Sequence, residues 1–341
     1  MPDQSPEALL TVSDLKLHFT QRYGVFKQHR SVIRAVDGVS FTLNRGETLG
    51  LVGESGCGKS SLGKALLKLH NPTAGDILFS GNDGSRQNIA ELSQAELRPL
   101  RARLQMVFQD PYESLNPRHT IETILEEPFI VHGYGARHER RQKLDALLEL
   151  VGLGQDALNK YPHEFSGGQR QRIGIARAIA LEPELLICDE AVSALDVSVQ
   201  AQIINLLLKI QQQMGLAMLF ISHDLSVVRH ISDRIAVMYK GKLVEQGSAQ
   251  ALCDKPAHPY TRALLNSVPQ LGHDWMAADL ARGEVGAVET SIQTACAFAP
   301  RCPRAQALCR EQEPELIGMS GDSGQRFAAC HFPEPGFSAS T

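Results

Sequence analysis

No run of about 18 apolar residues, the length a bilayer-spanning helix requires, occurs in the 341-residue sequence. The opening segment Met1 to Glu7 has neither a basic region nor an apolar core, so no secretory leader is expected and the chain is predicted to stay on the cytoplasmic side. Aromatic residues are few and Trp275 is the sole indole, while Val, Ile and Leu are plentiful. That balance is common in α/β enzymes, whose buried strands favour aliphatic side chains. The formal net charge is only -4, which lacks the positive surplus that a general nucleic-acid binder uses against phosphates. The sequence shows no internal repeat, heptad run or low-complexity tract that would suggest a coiled coil or a disordered tail. The length suits one large or two ordinary domains.

What is present alternates between two periods. Val36 to Leu43 reads as a strand, Asn44-Arg45-Gly46-Glu47 as a tight turn and Thr48 to Val52 as a short buried strand. A glycine-rich loop follows, and then Leu62, Ala65, Leu66 and Leu69 fall at the spacing of an inward helical stripe. Leu104, Met106 and Phe108 alternate as in a half-buried strand, which Asp110-Pro111 breaks. Ser114 to Ala180 is mostly helical in pattern. Strand-like runs return at Leu185 to Cys188 and Ala217 to Ile221, separated by a helix with Ile203, Leu206, Leu207, Ile210 and Met214 on one face. Such alternation predicts a parallel sheet. Arg234 to Gly247 reads as a hairpin turning at Lys240-Gly241, after which periodicity fades, and a domain boundary is expected near Gly247.

Gly53-Glu54-Ser55-Gly56-Cys57-Gly58-Lys59-Ser60 fits the phosphate-binding loop pattern and lies between a predicted strand and a predicted helix. Its glycines let the backbone curl so that N–H groups and the positive end of the helix surround phosphates. Lys59 would reach the β- and γ-phosphates, Ser60 would ligate Mg²⁺, and Ser61 would donate to phosphate as well. The run Leu185 to Glu190 is a buried strand ending in two carboxylates. Asp189 would hold the metal and Glu190 would polarise the attacking water. An Asp-Glu pair alone is more often a solvated strand edge; the phosphate loop upstream favours the chemical reading.

Ser166-Gly167-Gly168-Gln169, preceded by Phe165, resembles the signature of ABC ATPases. Physically it is a helix N-terminus that offers N–H groups and a hydroxyl to an anion. The resemblance implies that Ser166 and Gly168 serve the γ-phosphate of ATP bound to an opposite subunit. Other elements follow in the family's order. Gln109 matches the glutamine that senses Mg²⁺ and the attacking water. Ser193-Ala194-Leu195-Asp196 matches the loop that crosses the dimer interface, and His223 matches the switch histidine near the γ-phosphate. Phe19 matches the aromatic residue that stacks on adenine, an ordinary strand aromatic being the alternative. Ala191 stands where many relatives have proline, which frees φ and restores an N–H beside untouched carboxylates. The resemblance implies an α/β fold: a P-loop NTPase (RecA-like) core of the ABC ATPase type, with a helical subdomain and a small cysteine-containing C-terminal extension. The expected domains are 1–250, with the subdomain inserted at about 111–182, and 251–341.

Beyond the core, His258-Pro259-Tyr260-Thr261-Arg262-Ala263-Leu264 resembles the C-terminal extension of di- and oligopeptide importer ATPases, as do Arg34 to Phe41 and Gln109 to Pro117. Within that branch the chain is most similar to the F-type member of the paired ATP-binding subunits of dipeptide importers. This implies ATP-driven peptide import at the cytoplasmic face of the inner membrane. The implied partners are a sister ATP-binding subunit or a second copy, two integral permeases and an extracytoplasmic peptide-binding protein. Similar ATPases power nickel, glutathione and antimicrobial-peptide systems, and a nucleic-acid ATPase of the same superfamily would need a long coiled coil that is missing here.

Seven cysteines in a cytosolic chain are not expected to pair as disulfides. Cys296, Cys302, Cys309 and Cys330 crowd the C-terminal end with five, six and twenty residues between them. Four thiolates suit zinc or an iron-sulfur cluster, or they remain free thiols; the Cys-x-x-Cys pairs usual for structural zinc are absent. The peptide-importer resemblance includes Cys-x-Phe-x-x-Arg-Cys-Pro, present as Cys296 to Pro303, and it implies a 4Fe-4S cluster on these four cysteines. His331 is expected to be a neighbour rather than a ligand. Cys188 and Cys253 are expected to be buried packing residues, and Cys57 a small loop residue open to reaction.

Overall fold

The computed structural model describes residues 7–23, 29–266, 295–320 and 326–339; Trp275 and part of the C-terminal extension lie outside the described residues. The first elements are β1 (Ala8–Tyr23), β2 (His29–Asn44), β3 (Thr48–Val52), α1 (Lys59–Leu66), β4 (Ala74–Ser80), β5 (Arg86–Asn88) and α2 (Gln94–Leu100). Next come β6 (Leu104–Val107), α3 (Pro111–Ser114), α4 (Ile121–Val131), α5 (Arg137–Leu150), α6 (Gly167–Ile179), β7 (Leu185–Asp189), α7 (Val197–Met214) and β8 (Ala217–Ser222). The chain continues with α8 (Leu225–Ile231), β9 (Arg234–Tyr239), β10 (Lys242–Ser248), α9 (Ala249–Asp254) and α10 (Pro259–Asn266). It ends with α11 (Ala307–Glu311), β11 (Ile317–Ser320), β12 (Phe327–Ala328) and β13 (Ser338–Ala339). Among the described residues no helix is long and apolar enough to cross a membrane.

These elements form two compact units. The first comprises Met1–Ser13, Phe41–Thr48 and Gly63–Ile221. Its centre is three parallel strands with β7 between β6 and β8, in a register that sets Leu185 beside Leu104 and Ala217. Every position of β7 and β8 is buried, as expected of strands covered on both faces, and this is why they read as continuous apolar runs. The crossover between them is α7, started by Asp196, whose side chain accepts from the Val199 N–H, and stopped by Gly215 in the left-handed conformation. It buries Ile203, Leu206, Leu207 and Ile210, as their spacing predicts, while Met214 is only half-buried. Between β6 and β7 lie α3 to α6, the helical region anticipated at about 111–182.

The second unit comprises Asp14–Ser40, Leu49–Leu62 and Ser222–Thr341. Here β3 runs parallel to β9, and β9 turns back antiparallel as β10. Lys240 and Gly241 both have positive φ, the backbone that a tight hairpin with right-handed twist requires. The sheet then continues antiparallel through β12, β11 and β13. Glu245 and Gln246 pair with Ala328 and Phe327, so the compositional change near Gly247 falls inside a strand, and the residues on both sides of it share one compact unit. Ala257, Met319 and Ala328 make a small core there, with Ile317 and Phe337 against it.

Two local expectations are corrected. Leu69 lies beyond the end of α1 and is 47% exposed, because the helix stops at Leu66 before the apolar stripe is complete. Phe108 is outside β6 and 38% exposed, while Val107 is buried beside Met106. The alternation holds for Leu104 and Met106 on either side of the half-buried Gln105 and is lost at Val107.

Candidate functional site

In the second unit, β3 delivers the loop Gly53 to Gly58 to the start of α1. Gly58 has φ +109°, and a Cβ there would lie 1.9 Å from the Ala35 carbonyl oxygen. A Cβ on Gly53 would meet the Met238 carbonyl oxygen at 2.2 Å. Only glycine satisfies both the close approach and the left-handed backbone. The turn of the β9–β10 hairpin holds the loop from outside, through the Gly241 N–H donating to the Cys57 carbonyl at 2.8 Å. Lys59 is buried, and its ammonium donates to the carbonyls of Gly53 at 2.7 Å and Glu54 at 3.0 Å. Ser60 follows it in the first turn of α1. Cys57 is buried as well, with Sγ 3.8 Å from Lys59 Nζ; burial pushes its thiol up despite the nearby ammonium. Burial thus disfavours the thiolate at Cys57, which occupies the loop as a small side chain.

The same unit ties this loop to the C-terminal extension through Glu54. Its N–H donates to Tyr260 Oη at 2.9 Å, and its carboxylate receives both terminal nitrogens of Arg301 at 2.9 and 2.8 Å. Tyr260 is fully buried, and its ring packs against Tyr239 and Phe298 at centroid distances of 4.6 and 5.3 Å. Neither residue stands out as part of a phosphate site in the sequence. The signals the sequence did offer were Tyr260's place in the His258 to Leu264 segment and Arg301's between Cys296 and Cys302. His223 follows β8, exposed and immediately before the Asp224 cap of α8, and Phe19 is half-buried in β1.

In the first unit, Asp189 is the last residue of β7 and is buried, with Ile221 of β8 beside it. Glu190 follows at φ +46°, a strained backbone for a residue with a Cβ. It is held by its N–H donating to the Ile221 carbonyl at 2.9 Å and by the Ser193 hydroxyl donating to its own carbonyl at 3.0 Å. The Gln109 side-chain amide donates to Glu190 Oε2 at 2.8 Å. Two residues 81 positions apart, each singled out in the sequence, are thus in direct contact. Such a contact fixes the direction of the carboxylate.

Ser166 caps α6, accepting from the Gln169 N–H at 3.3 Å, while the Gln169 side chain accepts from the Ser166 N–H at 2.9 Å. A Cβ on Gly168 would meet Val199 Cγ1 at 2.5 Å, so this glycine is needed for α6 to pack against α7 as well as for access to N–H groups. Asp196 is likewise engaged within the chain: its carboxylate accepts from the Ser198 hydroxyl at 2.7 Å and the Val199 N–H at 2.9 Å, and these bonds hold it below its usual range.

The comparisons with known proteins converge. A family model described as "ABC transporter" matches residues 36–193, and one described as "Oligopeptide/dipeptide transporter, C-terminal region" matches residues 244–309. The oligopeptide transport ATP-binding protein AppF of Bacillus subtilis is 50% identical over 335 residues, covering 97% of this chain and 99% of that protein. The chain belongs to the ABC transporter family. The di/tripeptide transport ATP-binding protein DppF of Pseudomonas aeruginosa is 46% identical over 96% of this chain and 98% of its own length. Among solved structures of the family, cbiO1 of Clostridium perfringens, part of the transporter complex cbiONQ, superposes with a TM-score of 0.60. It is 27% identical over 72% of this chain and 90% of that one. A bacterial ABC transporter cassette solved as a dimer, MJ0796, gives a TM-score of 0.60 at 28% identity over 70% of this chain and 98% of that one. The fold is that of an ABC ATPase, an α/β P-loop core with a helical region.

The four C-terminal cysteines lie in the region adjoining this ABC core. Cys296, Cys302, Cys309 and Cys330 line one small cavity together with His258, Phe298 and Phe332. The Cys296 N–H donates to the Cys309 carbonyl at 2.9 Å. Burial first, and then the neighbouring cysteines, push the Cys330 thiol up to about 12. Among the described residues, no group of three or more His, Cys, Asp or Glu side chains is arranged to hold a metal ion. His331 lines the same cavity, and its Nε2 is 3.0 Å from the Gln312 carbonyl oxygen. Cys188 is fully buried and Cys253 is buried on α9, each as a packing residue.

Proposed function

We propose that this chain is the ATP-binding and ATP-hydrolysing subunit of an importer of dipeptides or oligopeptides, acting as a peripheral subunit on the cytoplasmic face of the inner membrane. The observation that carries the reading is the union, in one chain, of the ABC core with an oligopeptide/dipeptide transporter C-terminal region. The relatives named above are transport ATP-binding proteins for the same solute class.

In this reading the N–H groups of Gly53 to Ser61 cradle the phosphates and Lys59 exchanges its two carbonyl partners for phosphate oxygens. Phe19 stacks on adenine. Ser60, Gln109 and Asp189 supply hard oxygen donors suited to Mg²⁺, which when bound neutralises polyphosphate charge. Glu190 is the general base that polarises the attacking water, with Gln109 fixing its orientation and His223 approaching the γ-phosphate. Ser166, Gly168 and Asp196 act across a dimer interface on the partner's nucleotide; Val197, beside Asp196 and 82% exposed, is an apolar side chain suited to such burial. ATP then favours the closed pair and hydrolysis releases it, a population shift passed to the permeases through the Gln109 loop and helical region. The partners are a sister ATP-binding subunit or second copy, two permeases and an extracytoplasmic peptide-binding protein.

The domain division we retain is functional: 1–250 for the ATPase and 251–341 for the extension. Cys296, Cys302, Cys309 and Cys330 would hold a 4Fe-4S cluster. The donor set fits, being four thiols gathered on one cavity. The cluster's chemistry would be a covalent staple between chain segments.

Replacing Glu190 by Gln tests the ATPase assignment: hydrolysis should fall roughly 10²- to 10⁴-fold, the usual worth of a general base, with nucleotide affinity retained. Unaltered turnover would sink it. For the solute, a strain lacking this chain should lose uptake of labelled di- and oligopeptides; retained peptide uptake with lost nickel or glutathione uptake would reassign the cargo. Anaerobically purified chain should carry stoichiometric iron and sulfide, and zinc or no metal would overturn the cluster.

A further inference from the structure

Glu54 is the second residue of the phosphate loop, and every polar group it has is committed. Its carbonyl accepts from Lys59 Nζ, its N–H is taken by Tyr260 Oη, and its carboxylate is paired with Arg301 through two parallel bonds. An unpaired carboxylate at this position would stand in the loop that receives a polyanion, and like charges in such a setting repel strongly. The bidentate Arg301 pair cancels that charge and fixes its direction. Arg301 is itself held in a tight turn: the Ala299 N–H donates to the Cys296 carbonyl at 3.0 Å, and the Arg301 N–H to the Phe298 carbonyl at 3.0 Å. Its guanidinium stands 5.9 Å from the Tyr239 ring centroid and 5.8 Å from that of Phe298. Cys296 and Cys302 bracket this turn on either side. Anything that orders those cysteines also orders the arginine between them.

We propose that Arg301 and Tyr260 are positioning residues of the nucleotide site, forming a clamp on Glu54 through which the binding state of the four-cysteine cavity sets the affinity of the phosphate loop. The proposal rests on the ATP-binding reading above and assigns to the extension a role in nucleotide affinity. It needs no contact between the extension and ATP. Arg301 acts only through Glu54, by neutralising it and holding the loop in its curled form.

The test is the equilibrium affinity of the full-length, anaerobically purified chain for ADP with Mg²⁺. Arg301→Gln should weaken binding about tenfold, Arg301→Lys less, since a single ammonium keeps the charge and loses the fork. Adding Glu54→Gln to Arg301→Gln should recover most of the loss, because the uncompensated charge is gone; a merely structural role for Arg301 would not be rescued in this way. Cys302→Ser should weaken binding in the parent and have little further effect in the Arg301→Gln background. If Cys302→Ser fails to fold, removal of bound metal from the intact chain by a chelator replaces it in the same cycle. Unchanged affinity in Arg301→Gln, absence of rescue, or additive effects of the arginine and cysteine changes would each overturn the clamp while leaving the ATPase reading in place. A parent chain that binds no ADP would overturn both.

Discussion

Gly58 and Glu190 both sit at positive φ, for opposite reasons. At Gly58 the conformation is free of cost and the space is closed, with the Ala35 carbonyl where a Cβ would be. Gly58→Ala must therefore displace backbone, and we expect a loss of at least about 2 kcal/mol in stability, together with loss of nucleotide binding, measured by denaturant unfolding and ADP titration. A variant of parental stability and affinity would show that the loop tolerates a wider curl. At Glu190 the side chain is present and the strain is accepted, at φ +46°. Neighbouring bonds to Ile221 and Ser193 over-determine the backbone, which aims the carboxylate at Gln109. The residue types at both positions were legible as a phosphate loop and a strand-end carboxylate. The strain at Glu190 was not, because φ at a non-glycine residue is decided by packing around it.

Strand β10 carries the second unit's least expected feature. A register shift between Leu243 and Glu245 lets consecutive side chains turn inward, and Glu245 is completely buried. Its carboxylate accepts from Arg326 Nη2 at 2.7 Å and from the N–H groups of Ala257 and His258, both at 2.8 Å. One acid thereby fixes the entry to the His258 to Leu264 segment and joins it to β12. Glu245→Ala strands a buried guanidinium and two N–H groups, and we expect roughly 3–5 kcal/mol of destabilisation. The double change Glu245→Met with Arg326→Leu should cost distinctly less, since no unpaired charge remains. A single variant within about 0.5 kcal/mol of the parent in a denaturant series would contradict this account. Nothing in the local pattern marks the pair, whose members are 81 residues apart.

For the molecule as a whole, the acid limb of stability should carry the mark of one histidine. His258 is buried, its Nδ1 accepts the Tyr260 N–H at 3.0 Å, and desolvation lowers its pKa from 6.5 to about 4. The unfolded chain takes up this proton at a higher pH than the folded one. Stability from this group is thus complete above about pH 6.5 and falls as pH drops towards 4, by an amount on the order of 3 kcal/mol. Unfolding midpoints of parent and His258→Gln should diverge across that window, the variant lacking the histidine's share of the loss; parallel curves would assign the limb to other groups. At this scale much was readable beforehand. Fully buried parallel strands write themselves as apolar runs, a phosphate loop needs glycines at fixed offsets, and helix caps are local, so the sequence by itself determined the α/β core, the glycine-rich loop ahead of Lys59, the carboxylates of Asp189 and Glu190 at a strand end, and the family. Only the tertiary structure decided that Tyr260 and Arg301, 206 and 247 residues from Glu54, would meet on that loop, and that four scattered cysteines would share one cavity. Periodicity reports which face of an element is buried, whereas the partner found there depends on how distant elements stack, and no local spacing encodes that.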